Sequence, residues 1–169
     1  MPEKGFTLIE LLVVVAIILI TLTIGLPNFQ TIIASNRLTS ATNALVSAFQ
    51  LARVEALKQH KSVFIVKKTS WSNGWSVFVD SNGNKIQDSD ELTLTVFDKL
   101  NSMIEPKNNL SVLSTPFYYD TNGRMNKAGA FSFCSAANKD FRSVVIANTG
   151  RIRVETTSNS TKTYVSECS

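Results

Sequence analysis

Apolar and polar positions divide the chain into three stretches with different periods. From Phe6 to Leu26 the run of 21 residues is almost wholly apolar, interrupted by Thr7, Glu10, Thr21 and Thr23 and closed by Pro27. As a helix it would measure roughly 30 Å, one hydrocarbon core. This predicts a single membrane-spanning helix over residues 6–27. From Asn28 to about Lys61 a helical period takes over. Leu38, Leu45, Phe49, Ala52 and Ala56 form one stripe, while Arg37, Arg53 and Lys58 fall largely off it. An amphipathic helix over 28–61, laid against a sheet, is expected. Gly25 and Pro27 weaken helical bonds between the two halves, so a kink or melted turn is expected there.

After Lys61 the pattern changes to short strands between turn signals. The candidates are Ser62–Lys67, Gly74–Asp80, Leu92–Phe97, Leu110–Leu113, Phe117–Asp120, Ala130–Phe133, Ser143–Ala147 and Arg151–Thr156, with a last one near Thr163–Glu167. Asn82-Gly83, Asn122-Gly123 and Thr149-Gly150 punctuate them. Strands following one long helix predict an α+β protein, with an antiparallel sheet in a globular head over residues 62–169.

Charge and cysteine content refine this picture. The formal net charge is +4, which suits an anionic partner without identifying it. In a domain outside the cytoplasm, Cys134 and Cys168 should pair. The closed loop of 35 residues would stabilise by roughly 3–4 kcal/mol on the chain-entropy account. Two cysteines lack the further ligands a zinc ion needs, so no metal site is expected from them. Catalysis finds little support. His60 is the one histidine, and there is no glycine-rich phosphate loop and no Cys/His nucleophile pair. No enzyme activity and no cofactor are expected.

Glu10 is the anomaly. A carboxylate inside a lipid-suited segment is costly and needs a cation. An ordinary secretory signal would place its small-residue cleavage site after the apolar region. Here the small residue, Gly5, precedes it. Gly5-Phe6-Thr7-Leu8-Ile9-Glu10 resembles the class III signal of type IV pilins and type II secretion pseudopilins. That resemblance implies a leader over residues 1–5, cut after Gly5 by a prepilin peptidase, and a methylated amine on Phe6. It also implies an inner-membrane anchor with the head in the periplasm, then assembly with other major and minor pilins into a surface filament. The physics supports a role for Glu10 in assembly, because the terminal amine of a neighbouring subunit can supply the missing cation.

Three further segments narrow the resemblance. They are Gln50-Leu-Ala-Arg53-Val-Glu55-Ala56, Trp71-Ser-Asn-Gly74-Trp75-Ser-Val-Phe-Val-Asp80 with its following turn, and Thr149-Gly150-Arg151-Ile-Arg153-Val154. Together they look like the FimT/FimU/GspH branch of minor pilins. The implied fold is the pilin fold, a long N-terminal helix packed on two small antiparallel sheets. The implied role is a low-abundance subunit of a pilus tip or initiation complex, or a GspH-like pseudopilin of a type II secretion system.

Two sites call for chemistry of their own. Asp80, Asn82, Asn84, Asp88 and Glu91 hold positions 1, 3, 5, 9 and 12 of a calcium-loop template, but Lys85 stands where that turn wants glycine. A hairpin turn with solvated acids and a calcium loop both remain readings. Arg151 and Arg153 would share one strand face about 6.5 Å apart, with Ile152 and Val154 packing inward. Guanidiniums at that spacing can contact successive phosphates without sequence preference. In FimT-type pilins the Gly-Arg-x-Arg motif is associated with DNA capture, which implies Gly150, Arg151 and Arg153 in contact with double-stranded DNA. Lys139, Arg142 and Lys162 extend that expectation to neighbouring cations.

Overall fold

The computed structural model describes residues 5–107, 116–135 and 140–156, without the side chains of residues 24–28 and 107. One helix, α1 (Leu8–Gln59), is followed by eight strands: β1 (Ser62–Lys67), β2 (Trp75–Asp80), β3 (Thr93–Phe97), β4 (Ile104–Lys107), β5 (Phe117–Tyr119), β6 (Gly129–Ser135), β7 (Phe141–Ile146) and β8 (Ile152–Thr156). The strands make two antiparallel four-stranded sheets, in the orders β3-β2-β1-β5 and β4-β6-β7-β8.

Helix α1 begins on a capping box. The Thr7 hydroxyl accepts from the Glu10 amide, and the Thr7 amide donates to Glu10 Oε2 at 3.0 Å. These bonds satisfy amides that the first turn would otherwise leave open. The helix ends on His60, a left-handed cap with φ 51°. Between these ends it runs through Gly25 and Pro27 without interruption, so the expected melted turn is absent. Proline removes one rung of the ladder, and the rungs on either side keep the helix intact. From Phe6 to Leu22 the described apolar side chains are largely exposed. Among the described residues no helix is long and apolar enough to cross a membrane, and the described side chains of the apolar run stop at Thr23.

The C-terminal half of α1 carries the core. Leu38, Leu45, Phe49, Ala52 and Ala56, the whole predicted stripe, are at most 2% exposed. They pack into a cluster with Val63 and Ile65 of β1, Val77 and Val79 of β2, Phe131 and Phe133 of β6, and Val144 and Ile146 of β7. Trp71, Trp75 and Phe117 fill the centre, with Trp71 edge-on to Phe131 at 4.9 Å and Phe49 edge-on to Phe117 at 5.5 Å. Burying such side chains contributes roughly 1.5–3 kcal/mol each and joins the helix to both sheets.

Most predicted strands are present within a residue or two. β4 lies outside the strands expected from the sequence, and it contains Pro106. It lies at the edge of its sheet, where a residue without an N–H is tolerated. The strands expected at Leu110–Leu113 and Thr163–Glu167 lie outside the described residues.

Candidate functional site

The Gly-Arg-x-Arg element begins in the turn between β7 and β8. Ile146 pairs with Ile152, leaving Ala147-Asn-Thr-Gly150-Arg151 as the connection. The Gly150 amide donates to the Ala147 carbonyl at 2.8 Å and the Ala147 amide to the Arg151 carbonyl at 2.9 Å. Gly150 has φ +78°, and a Cβ there would lie 2.4 Å from the Gly123 carbonyl oxygen and 2.8 Å from the Tyr119 ring. Glycine is therefore required both by the left-handed backbone and by the close approach of a second turn.

Two side chains from elsewhere fasten this turn. Arg53 of α1 donates from Nη1 to the Gly150 carbonyl and from Nη2 to the Thr149 carbonyl, both at 3.2 Å. The buried Tyr119 hydroxyl donates to the same Gly150 carbonyl at 3.2 Å. Burial raises the Tyr119 phenol from its ordinary 10.0 to about 12, against an opposing pull from the Arg53 charge. Arg151 itself is exposed, and its guanidinium makes no hydrogen bond or ion pair with a described residue.

The rest of the predicted cationic set is dispersed. Arg153 is exposed on the face it shares with Arg151, but its Nη2 and Nε lie 2.8 and 2.9 Å from Glu155 Oε1. That carboxylate neutralises it locally. Val154 was expected to pack inward and is 37% exposed. β8 is the outer strand of its sheet, and the helix covers β6 and β7 instead. Arg142 pairs with Thr156 and alternates in phase with Val144 and Ile146, the core positions of β7. It therefore lies on the opposite sheet face from Arg153, which pairs with Val145. Arg142 does not join the Arg151 face. Lys139 and Lys162 lie outside the described residues.

The acidic turn is satisfied internally. Asp80 accepts from the Gly83 amide at 2.7 Å and the Lys85 amide at 3.2 Å; Glu91 accepts from the amides of Ser81 and Asp88 at 2.7 and 3.3 Å. Asp88 accepts from the side-chain amides of Asn82 and Asn84 at 2.8 and 2.6 Å. The expectation of solvated acids fails here, since Asp80 and Glu91 are buried and serve as turn acceptors. Among the described residues no group of His, Cys, Asp or Glu is arranged to hold a metal ion.

At the other end of the molecule, Gly5 and Phe6 are exposed, and Glu10 closes the capping box described above. The spacing Thr7-x-x-Glu10 is itself a helix-start signature, though the sequence reading assigned Glu10 only to assembly. Cys134 is buried in β6 at 3% exposure, and Cys168 lies outside the described residues. Arg53 and Tyr119 escaped the sequence reading as parts of a site. Arg53 stood in a family-like segment without a role, and Tyr119 stood within a predicted strand.

Comparison with known proteins places this architecture. Residues 41–150 match the family described as Type II transport protein GspH, and residues 1–26 match the prokaryotic N-terminal methylation motif. The chain is 29% identical over 161 residues to the pilin-like protein PilA1 of Thermus thermophilus, covering 92% of this chain and all of that one. It is 37% identical over 100 residues to a fimbrial protein of Pseudomonas aeruginosa, covering 56% of this chain and 64% of that one. Among solved structures, the type IV minor pilin FimU of Pseudomonas aeruginosa superposes with TM-score 0.59 at 25% identity, over 72% of this chain and 90% of FimU. The minor pseudopilin EpsH of the Vibrio cholerae type 2 secretion system shares the fold, with TM-score 0.54 at 10% identity over 71% of this chain and 97% of EpsH. With the long helix, the two sheets and the methylation motif in one chain, the protein belongs to the GspH family and is a structural subunit, a minor pilin or pseudopilin of a type IV pilus or type II secretion system.

Proposed function

We propose that this chain is a minor type IV pilin of the FimT/FimU kind, a low-abundance subunit of a pilus tip or initiation complex that also captures double-stranded DNA without sequence preference. The observation that carries the DNA reading is the Gly150-Arg151 turn. An exposed guanidinium with no hydrogen bond or ion pair to a described residue projects from a loop held by Arg53, Tyr119 and the neighbouring turn. With the backbone of the turn already fixed, docking a phosphate has to order the Arg151 side chain but not the loop that carries it.

On this reading residues 1–5 are the leader, removed after Gly5 by a prepilin peptidase, and the Phe6 amine is methylated. Residues 6–27 anchor the subunit in the inner membrane and later in the filament core. Residues 28–61 form the amphipathic half-helix, and 62–169 form the periplasmic head, closed by a Cys134–Cys168 disulfide. Glu10 pairs with the Phe6 amine of an adjacent subunit during assembly. Arg153 supplements Arg151 once Glu155 yields it, and Lys139 and Lys162 add cations from segments outside the described residues.

A deletion strain tests this. Pili and transformation should be lost with secretion intact. A double variant, Arg151→Gln with Arg153→Gln, should restore pili but not transformation. Full restoration of transformation by that variant would overturn the DNA role. The likeness to GspH and EpsH favours a second reading as a secretion pseudopilin; loss of secretion with pili intact would establish it.

A further inference from the structure

The Gly-Arg turn is present twice. Tyr119 pairs with Met125 and encloses Asp120-Thr-Asn-Gly123-Arg124, just as the Ile146–Ile152 pair encloses Ala147-Asn-Thr-Gly150-Arg151. Both connections have five residues and end in Gly-Arg. Both have glycine in the left-handed region, φ +69° at Gly123 and +78° at Gly150. Their hydrogen bonds also correspond. The Gly123 amide donates to the Asp120 carbonyl and the Asp120 amide to the Arg124 carbonyl, each at 2.9 Å, the same pair of bonds that closes the Gly150 turn.

The two turns lie against each other. The Met125 amide donates to the Asn148 carbonyl at 3.0 Å, and the Gly123 carbonyl occupies the space a Cβ on Gly150 would need. Beneath them, Arg53 holds the second turn and Leu57 of the same helix packs under Gly123. Arg124 occupies the position of Arg151. It too is exposed, and its guanidinium makes no hydrogen bond or ion pair with a described residue. The acid in its turn, Asp120, accepts from the amides of Asn122 and Arg124 at 2.9 Å each.

We infer that the paired turns form one phosphate-binding platform, with Arg124 and Arg151 as its two contacts and Arg53 as the positioning residue behind them. Duplex DNA would then lie across the loop ends instead of along the face of β8. Arg153, occupied by Glu155, contributes less than Arg124. The inference rests on the DNA-binding reading above and assigns its second contact to a different element.

Anisotropy of a labelled DNA duplex, titrated with the purified full chain in neutral detergent across a salt series, tests it. Each phosphate contact contributes about −0.9 to the slope of log K against log salt. Arg124→Gln and Arg151→Gln should each weaken binding several-fold at low salt and flatten the slope by about one. Arg124→Lys should keep the slope, and Arg153→Gln should change it less than Arg124→Gln. A slope unchanged by Arg124→Gln but flattened by Arg151→Gln would overturn the platform and leave the DNA reading standing. Absence of binding by the unaltered chain, or indifference to both Gln variants, would remove both. Thermal unfolding of each variant separates lost contacts from lost folding, and the Lys variant carries the comparison if the Gln variant fails to fold.

Discussion

Arg53 and Gly150 lie 97 positions apart in the chain and are joined by a hydrogen bond of 3.2 Å from guanidinium to carbonyl, with the Thr149 carbonyl taken by the same fork. Lysine cannot reproduce two bonds at that geometry. Arg53→Lys should therefore cost about 1–2 kcal/mol, since a hydrogen bond from a charged donor is worth about 1.5–3 kcal/mol and this one is partly open to solvent. Urea unfolding of the full chain in detergent measures it; a loss under a few tenths would mean that the clamp carries no stability.

Gly150→Ala and Gly83→Ala make a controlled pair. Both glycines have positive φ, +78° and +81°, but a Cβ at Gly83 meets nothing within 4 Å whereas at Gly150 it meets backbone at 2.4 Å. The Gly83 change should cost about 1 kcal/mol for the left-handed backbone alone. The Gly150 change should exceed it by at least about 1–3 kcal/mol, because two turns must separate. Equal midpoints in thermal melts would contradict the close approach.

Tyr119 sets an alkaline limit. Its phenol titrates near 12 in the folded chain and near 10 when unfolded. The folded state thus holds the proton more tightly. The stabilisation is complete below pH 10 and is lost as pH rises towards 12. Two units amount to about 2–3 kcal/mol. Tyr119→Phe should abolish this dependence between pH 9 and 12 while costing about 1 kcal/mol at neutral pH. An unaltered pH profile in the variant would assign the dependence to another group.

Glu10→Gln separates the capping role of this side chain from the assembly role proposed for it. Glutamine can complete the capping box with Thr7, so the helix should begin where it does now. It carries no charge and so cannot form an ion pair with a neighbouring amine. Incorporation into filaments, scored by immunoblot of sheared surface material, should fall sharply despite normal steady-state levels in membranes. Normal incorporation would mean that Glu10 serves its own helix only.

What could be read from the chain followed periodicity. The stripe from Leu38 to Ala56 maps onto the buried side of α1, and Ser62–Lys67 is a strand to the residue. Turn chemistry was equally plain at Asn122-Gly123 and Thr149-Gly150. Their adjacency was not, because β5 belongs to one sheet and β7 and β8 to the other, so the turns meet only through tertiary packing on α1 and on each other. The Arg53 clamp left no mark for a related reason. Its acceptors are backbone carbonyls, which any residue supplies. Arg142 misled through proximity in sequence, which says nothing of which sheet face a side chain occupies. β4 shows no strand-like alternation over its four residues and contains Pro106, whose intrinsic preference an edge position overrides.

Glu10 and Arg53 belong to one unbroken helix, roughly 65 Å apart along its axis. Tension applied at the paired turns reaches that rod through the Arg53 guanidinium as well as through the strands that run into the turns, so part of the load bypasses the sheets for as long as those two bonds hold.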